Sequence, residues 1–239
     1  MKRFVILLSG ALLLWQASAF AQSVQSQPVT KEVAEALQLE TQAATLASQG
    51  RAVEAETLYK RSLAIVEQAL PNDPVLAGSL NNVGQFYRAQ RRYGEAADHF
   101  SRALAIYARS YGDNHKLTAT VINNLAAVYL AAGKYDEAEP LYRRGLVATE
   151  KLLGAGHYAV AISLDWLAQA NFAQKKYSES EANLRRAVAI AEKSTGPESK
   201  LVVFLLDHLV SVVKAQGRAD EASSIRQRAQ GIADKLKKS

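Results

Sequence analysis

The feature that most constrains this chain is a short motif that returns every 42 residues. Leu80-Asn81-Asn82 is followed by motifs of the same kind at 122–124 (Ile-Asn-Asn), 164–166 (Leu-Asp-Trp) and 206–208 (Leu-Asp-His). A period of about 20 to about 50 residues is typical of solenoids, in which each repeat buries its apolar face only against its neighbours. The period therefore predicts an all-α solenoid of about five stacked helix pairs.

The first 21 residues have the features of an export signal. Lys2 and Arg3 precede an apolar run at 4–15, and the small residues Ala19 and Ala21 match those that a signal peptidase recognises. We expect cleavage after Ala21, with a second candidate site after Ala19, and hence a periplasmic or secreted protein. The run is shorter than the roughly 20 apolar residues that span a bilayer, so no membrane insertion is expected after cleavage.

The composition excludes several classes of function. The signal holds two of the 29 basic residues and none of the 23 acidic ones, so the remaining chain has a net charge of +4, too small to indicate nucleic-acid binding. Without cysteine there is no disulfide, zinc–thiolate site or thiol catalyst. The histidines His115 and His157 lie one repeat apart and are interpreted as repeat-consensus residues. No phosphate loop, HExxH or GxSxG motif occurs, so we predict no catalysis, no cofactor and no metal.

Apolar residues at three-to-four spacing place two helices in each repeat. Residues 22–30 are predicted to be a flexible leader ending in Thr30, a helix cap, and residues 31–237 to be the solenoid. The repeats are predicted at 31–72, 73–114, 115–156, 157–198 and 199–237. The helix pairs are predicted at 31–49 with 52–70, 74–90 with 93–111, 116–132 with 135–153, 158–174 with 177–195, and 198–216 with 218–237.

Small residues recur where the two helices of a pair must approach each other, and large residues recur around them. The small positions are Ala43, Gly84, Ala126 and Ala168 in the first helix and Ala55, Ala96, Ala138, Ser180 and Ala222 in the second. The turn between the helices has Gly50, Gly133 or Gly217, which favour left-handed backbone, and Arg91 or Lys175 in the other two repeats. The fifth repeat has a polar last helix, which is predicted to end the stack.

This pattern resembles the tetratricopeptide repeat family, and within it the 42-residue repeats of kinesin light chains. The likeness is carried by Leu-Asn-Asn-Val-Gly at 80–84, Ile-Asn-Asn-Leu-Ala at 122–126, the segment 133–144 and the loops 111–115 and 153–157, and it covers about residues 37–237. The resemblance implies a right-handed α-solenoid that binds proteins or peptides. In that family, asparagines contact peptide ligands, and the matching residues here are Asn81, Asn82, Asn123 and Asn124.

The first helix of each repeat is expected to line a concave groove. Besides the four asparagines, the candidate peptide-binding residues are Gln85, Arg88, Asp165, Trp166, Gln169, Phe172, Asp207 and Lys214. An asparagine amide can both donate and accept, which suits the main chain of an extended peptide. An alternative is that the asparagines bond neighbouring helices and hold the superhelical twist. Trp166 is either an exposed anchor or packed under the next repeat.

Three functions compete at this level. The first is an exported, non-catalytic adaptor, a monomer, that binds a protein or peptide partner in its groove. The second is a scaffold that self-assembles through its convex face without a peptide ligand. The third, an enzyme, has no support, because the leader and repeats leave no room for a catalytic domain.

Overall fold

The computed structural model describes residues 30–237, and in that range it contains ten α-helices and no β-strand. They are α1 (Lys31–Ser48), α2 (Ala52–Ala69), α3 (Pro74–Ala89), α4 (Tyr93–Tyr111), α5 (Lys116–Ala131), α6 (Tyr135–Leu153), α7 (Tyr158–Ala173), α8 (Tyr177–Thr195), α9 (Lys200–Ala215) and α10 (Ala219–Leu236). Every helix begins and ends within two residues of its predicted bounds, so the all-α prediction is confirmed. The expected signal peptide and all of the leader except Thr30 lie outside the described residues.

The first helix of every repeat begins behind a side chain that caps its free N–H groups. Thr30 accepts from the backbone N–H of Val33 at 3.4 Å, as predicted, and Asp73 caps α3 at 2.8 Å. His115 and His157 cap α5 and α7 through Nδ1, and Ser199 caps α9. Caps by threonine, aspartate or serine stabilise a helix by about 1 kcal/mol each. The repeated histidine is therefore explained by helix capping.

The turn inside each repeat passes through left-handed backbone at one residue. Gly50, Gly133 and Gly217 have φ of 79°, 75° and 80° there, and Arg91 and Lys175 have φ of 58° and 60°. Left-handed backbone was predicted at the three glycines, and the structure shows that Arg91 and Lys175, which replace glycine in the other two repeats, adopt it too. The two charged residues carry a backbone cost of about 1–2 kcal/mol that glycine avoids.

The first helices form the inner side of the stack. Direct helix-to-helix packing joins α1 with α3, α3 with α5, and α7 with α9, whereas within residues 30–237 no two second helices pack to a comparable extent. Each second helix packs against the first helix of its own repeat, and α2, α4, α6 and α8 also pack against the first helix of the next. The chain therefore curves with the first helices on its concave side. None of the helices in the described range combines the length and the apolar character needed to span a membrane.

The core is adjusted repeat by repeat through pairs of small and large side chains. Gly84 faces the fully buried ring of Phe100, so closely that a Cβ at position 84 would lie 2.8 Å from a ring carbon. The equivalent pairs are Ala126 with Tyr142 and Ala168 with Leu184, all of them buried. Complementary volumes of this kind give the packing density that protein interiors need.

Ion pairs connect successive second helices on the outer side. Glu56 of α2 contacts Arg92 at 2.5 Å, Glu139 of α6 contacts Lys176 at 2.6 Å, and Glu181 of α8 contacts Arg218 at 2.7 Å. The hydrogen bond from Arg92 lowers the pKa of Glu56 to about 2, and the one from Lys176 lowers the pKa of Glu139 to about 2. Three of the four junctions between repeats are bridged in this way; at the remaining one, Ala97 takes the place of the glutamate.

Candidate binding groove

A polar ladder connects neighbouring repeats along the concave side. Asn82 Nδ2 donates to Glu40 Oε2 at 2.9 Å, and Asn124 Nδ2 donates to Asn81 Oδ1 at 2.9 Å. At the last junction His208 Nδ1 lies 2.5 Å from Asp165 Oδ1. In each rung the third residue of one motif bonds to the residue that occupies the second position of an earlier repeat's motif. The structure thus shows helix-to-helix bonds for three of the four predicted asparagines.

The first rung uses Glu40, which was not among the candidate residues. Glu40 is buried, and its second oxygen accepts from Ser62 at 3.2 Å. The linker after the first repeat is one residue short, so Glu40 lies 41 rather than 42 residues before Asn81. Aligning the small residues Ala43 and Gly84 would have revealed that Glu40 and Asn81 occupy equivalent positions in their repeats.

The ladder is interrupted between the third and fourth repeats. Trp166 occupies the donor position there, and Asn123 Oδ1 is buried without a hydrogen-bond partner. That oxygen packs against Gly145 of α6, where a Cβ would lie 2.2 Å away. Trp166 is partly buried, with its ring centroid 6.3 Å from that of Tyr142. It therefore packs against the preceding repeat instead of standing free in the groove.

The last rung builds a compact polar cluster on α7 and α9. Asp165 is only 1% exposed and accepts from both His208 Nδ1 and Gln169 Nε2, the latter at 2.8 Å. The ring of Phe204 lies 4.4 Å from the imidazole, measured between centroids. The hydrogen bond with Asp165 raises the pKa of His208 above its ordinary value, against the opposing effect of burial.

Sequence reasoning assigned His208 no partner and missed its pairing with Asp165. The signal was present, because the partners in this rung are 43 residues apart, the same separation as Asn81 and Asn124. The equivalence was hidden because the residue types change from amide–amide to carboxylate–imidazole.

The remaining candidates divide into two groups. Asn82, Arg88, Phe172, Asp207 and Lys214 are exposed, whereas Gln85 and Gln169 are partly buried. Each ladder amide uses one polar atom within the ladder and keeps the other outside it: Oδ1 of Asn82 and Asn124, and Nδ2 of Asn81. No group of three or more acidic or histidine side chains in residues 30–237 is arranged to hold a metal ion.

Three cavities adjoin the ladder. One of about 760 Å³ lies on the first two repeats and includes Asn82 and Gln85 in its lining. A second, of about 650 Å³, includes Asn123 and Trp166, and a third, of about 280 Å³, includes Asp165, Gln169 and Phe172. The structure therefore brings most of the candidate residues to a row of concave cavities, while the exposed Arg88, Asp207 and Lys214 line none of these three.

Comparison with solved structures finds the same fold in several proteins. A Podosopora anserina kinesin light chain with nearly identical repeats is 23% identical, with a TM-score of 0.79 over 88% of this chain and 100% of that one. BtubC from P. vanneervenii is 23% identical, with a TM-score of 0.76 over 96% and 90%. A Rap protein complexed with competence and sporulation factor is 18% identical, with a TM-score of 0.61 over 82% and 53%. At these identities the likeness concerns the fold alone.

Family models are more specific than these structural likenesses. Two models of the tetratricopeptide repeat match the chain, one at residues 43–74 and the other at 75–151 and 117–193. No curated protein sequence matches. The models together cover more than half of the chain. It belongs to the tetratricopeptide repeat family, a family of non-catalytic scaffolds for protein–protein interaction.

Proposed function

We propose that this protein is an exported, non-catalytic adaptor that binds an extended segment of a partner protein in its concave groove. The observation that carries the proposal is the ladder with its adjoining cavities. Asn82 keeps Oδ1 outside the ladder beside a space of about 760 Å³, and Gln169 keeps Oε1 beside one of about 280 Å³. Amides that donate and accept suit a peptide main chain, and the cavities suit its side chains.

Proteins of the same fold support this reading. The Rap structure contains competence and sporulation factor, so this architecture accommodates such a partner in at least one protein. In the present chain the ladder bonds hold Asn82 and Asn124 in place before any ligand arrives. A groove that is already ordered loses less side-chain entropy on binding than a flexible one.

The binding claim is tested with groove variants that leave the ladder intact. Peptides selected from a random 12-residue display library would be measured against wild type and a Gln85→Ala/Arg88→Ala variant. A matched control is Gln68→Ala/Arg61→Ala, which changes the same residue types on exposed positions of α2. We expect weaker binding by the groove variant and unchanged binding by the control. Equal binding by all three proteins, or selection of no peptide at all, would contradict groove binding.

The export claim rests on the sequence of residues 1–21 and is tested separately. We expect protein recovered from the periplasm or the medium of a Gram-negative host to begin at Gln22, as determined by intact mass. Recovery of a chain that still begins at Met1, in the cytoplasmic fraction only, would contradict export.

Light scattering tests the oligomeric state. We expect a monomer, whereas concentration-dependent assembly would favour a self-assembling scaffold.

A further inference from the structure

One core position changes character in the fourth repeat. The large residue inside the second helix is Tyr59, Phe100 and Tyr142 in the first three repeats, and Leu184 in the fourth. All four side chains are buried in the described structure. The loss of a ring at position 184 coincides with a cavity of about 280 Å³ between the fourth and fifth repeats.

The floor of this cavity is apolar except for the buried Ser180, whose hydroxyl donates to the backbone oxygen of Ala168 at 2.8 Å. It is formed by Ala168, Leu184 and Val212, with Leu130 and Phe172 at the sides. A cavity of about 150 Å³ with such a lining takes up benzene. The present cavity has room for a whole aromatic or leucine-sized side chain, and Phe172, 37% exposed, supplies an aromatic face at its mouth.

The rim of the cavity is polar but its buried charge is compensated. Asp165 is paired with His208 and Gln169, so its carboxylate is not left in need of a cationic ligand. Because Gln169 donates to Asp165 through Nε2, its Oε1 stays available as an acceptor. His208 contacts Asp165 through Nδ1, which leaves its Nε2 outside this hydrogen bond. Ser211 also lines the cavity. An apolar occupant flanked by main-chain amide groups matches this arrangement.

We propose that the cavity bounded by Ala168, Leu184 and Val212 is an anchor site for one aromatic or leucine-like side chain of an extended peptide. In this arrangement the peptide main chain bonds to Gln169 and His208. The inference deepens the proposed function and rests on it, because it names the ligand chemistry of one part of the groove. We call this space the anchor cavity.

The anchor cavity is mapped first in the wild-type protein. The probes are the N-acetyl methylamides of phenylalanine, leucine, alanine and lysine, titrated while methyl resonances are followed by NMR. We expect the phenylalanine and leucine probes to shift the methyl groups of Leu184 and Val212 and to bind at least about tenfold more tightly than the other two, since only they bury a large apolar side chain. Shifts at other sites, or equal binding of the lysine probe, would overturn the proposal.

Filling the cavity tests the same site with residues that other repeats already use. Leu184→Tyr introduces the residue of the first and third repeats, and Val212→Phe introduces the Phe86 of the second repeat at its equivalent position. We expect each variant to remain folded and to lose binding of the phenylalanine probe by about tenfold or more. Val147→Phe, which adds a ring at an exposed position of α6, is the control and should bind as wild type does. If both filled variants bind as wild type, the proposal fails.

The outcomes separate this inference from the wider proposal. Library peptides that lose affinity for the Gln85→Ala/Arg88→Ala variant but bind the filled variants normally would leave groove binding intact and refute the anchor cavity. If neither library peptides nor probes bind the wild-type protein, the groove function itself is refuted.

Discussion

At the scale of single residues, each helix pair depends on the combined volume of two facing side chains. Gly84 would ordinarily weaken α3, because glycine in a helix interior costs about 1 kcal/mol relative to alanine. It is nevertheless required here by the ring of Phe100, which is fully buried and has no space to retreat. The fourth repeat has Ala168 and Leu184 at these positions, a small side chain enlarged and a large one reduced.

We expect Gly84→Ala to lower the free energy of unfolding by about 1–3 kcal/mol, since overpacking outweighs the gain in helix propensity. Combining it with Phe100→Leu should recover part of the loss, because the pair then matches Ala168 and Leu184. Urea unfolding followed by circular dichroism measures both. Gly231→Ala is the control: no atom lies within 4 Å of a Cβ there, so it should stabilise α10. A stabilising Gly84→Ala would contradict this view of the core.

A second residue-scale prediction concerns His208. Its pKa is raised in the folded state, so its contribution to stability is complete below the unfolded pKa of about 6.5 and is lost as pH rises through the higher folded value. His208→Asn keeps a donor toward Asp165, as Asn82 does toward Glu40, but cannot titrate. We expect the free energy of unfolding of wild type, relative to that of the variant, to fall as pH rises above 6.5. Parallel pH profiles in urea unfolding would refute the assignment.

At the scale of helices, the sequence predicted what depends on local signals. Capping residues such as Thr30 and turn residues such as Gly133 mark helix ends. From such signals the bounds of all ten helices in the described residues were predicted to within two residues. The rungs of the ladder depend instead on which residues of two different repeats face each other. The short linker after Leu70 hid Glu40, and a change of residue type hid the Asp165–His208 pair. The anchor cavity was also unpredictable, because it results from the packing of several helices around Leu184.

The turn residues allow a reciprocal test at this scale. Arg91 adopts the left-handed conformation that Gly133 adopts one repeat later, and an ordinary residue there costs about 1–2 kcal/mol. We expect Arg91→Gly to raise the free energy of unfolding by about 0.5–1 kcal/mol, after allowance for the greater freedom of glycine in the unfolded chain. Gly133→Arg should lower it by a similar amount. Thermal and urea unfolding measure both changes, and shifts of the same sign in the two variants would contradict the argument.

At the scale of the whole molecule, stability comes from the helix pairs and from the junctions between them. The junctions differ, because Glu56, Glu139 and Glu181 bridge to the next repeat whereas Ala97 cannot. Lys134, the residue that would complete the missing bridge, lies 5.8 Å above the ring centroid of Tyr129. The second and third repeats are therefore joined by one contact fewer on the outer side.

Restoring that contact provides the prediction at this scale. Ala97→Glu should raise the free energy of unfolding at neutral pH by up to about 1 kcal/mol, the usual range for a partly exposed ion pair. The folded pKa of the new carboxyl should be lowered as in Glu139, so the gain should be present above the ordinary glutamate pKa of about 4.5 and disappear as pH falls toward 2. High salt should weaken it as well. Ala97→Gln has nearly the same shape without the charge, and Lys134→Ala removes the partner, so urea unfolding of these variants isolates the pair. If Ala97→Glu is no more stable than Ala97→Gln at low salt and neutral pH, the ion pairs at the other junctions do not stabilise the stack.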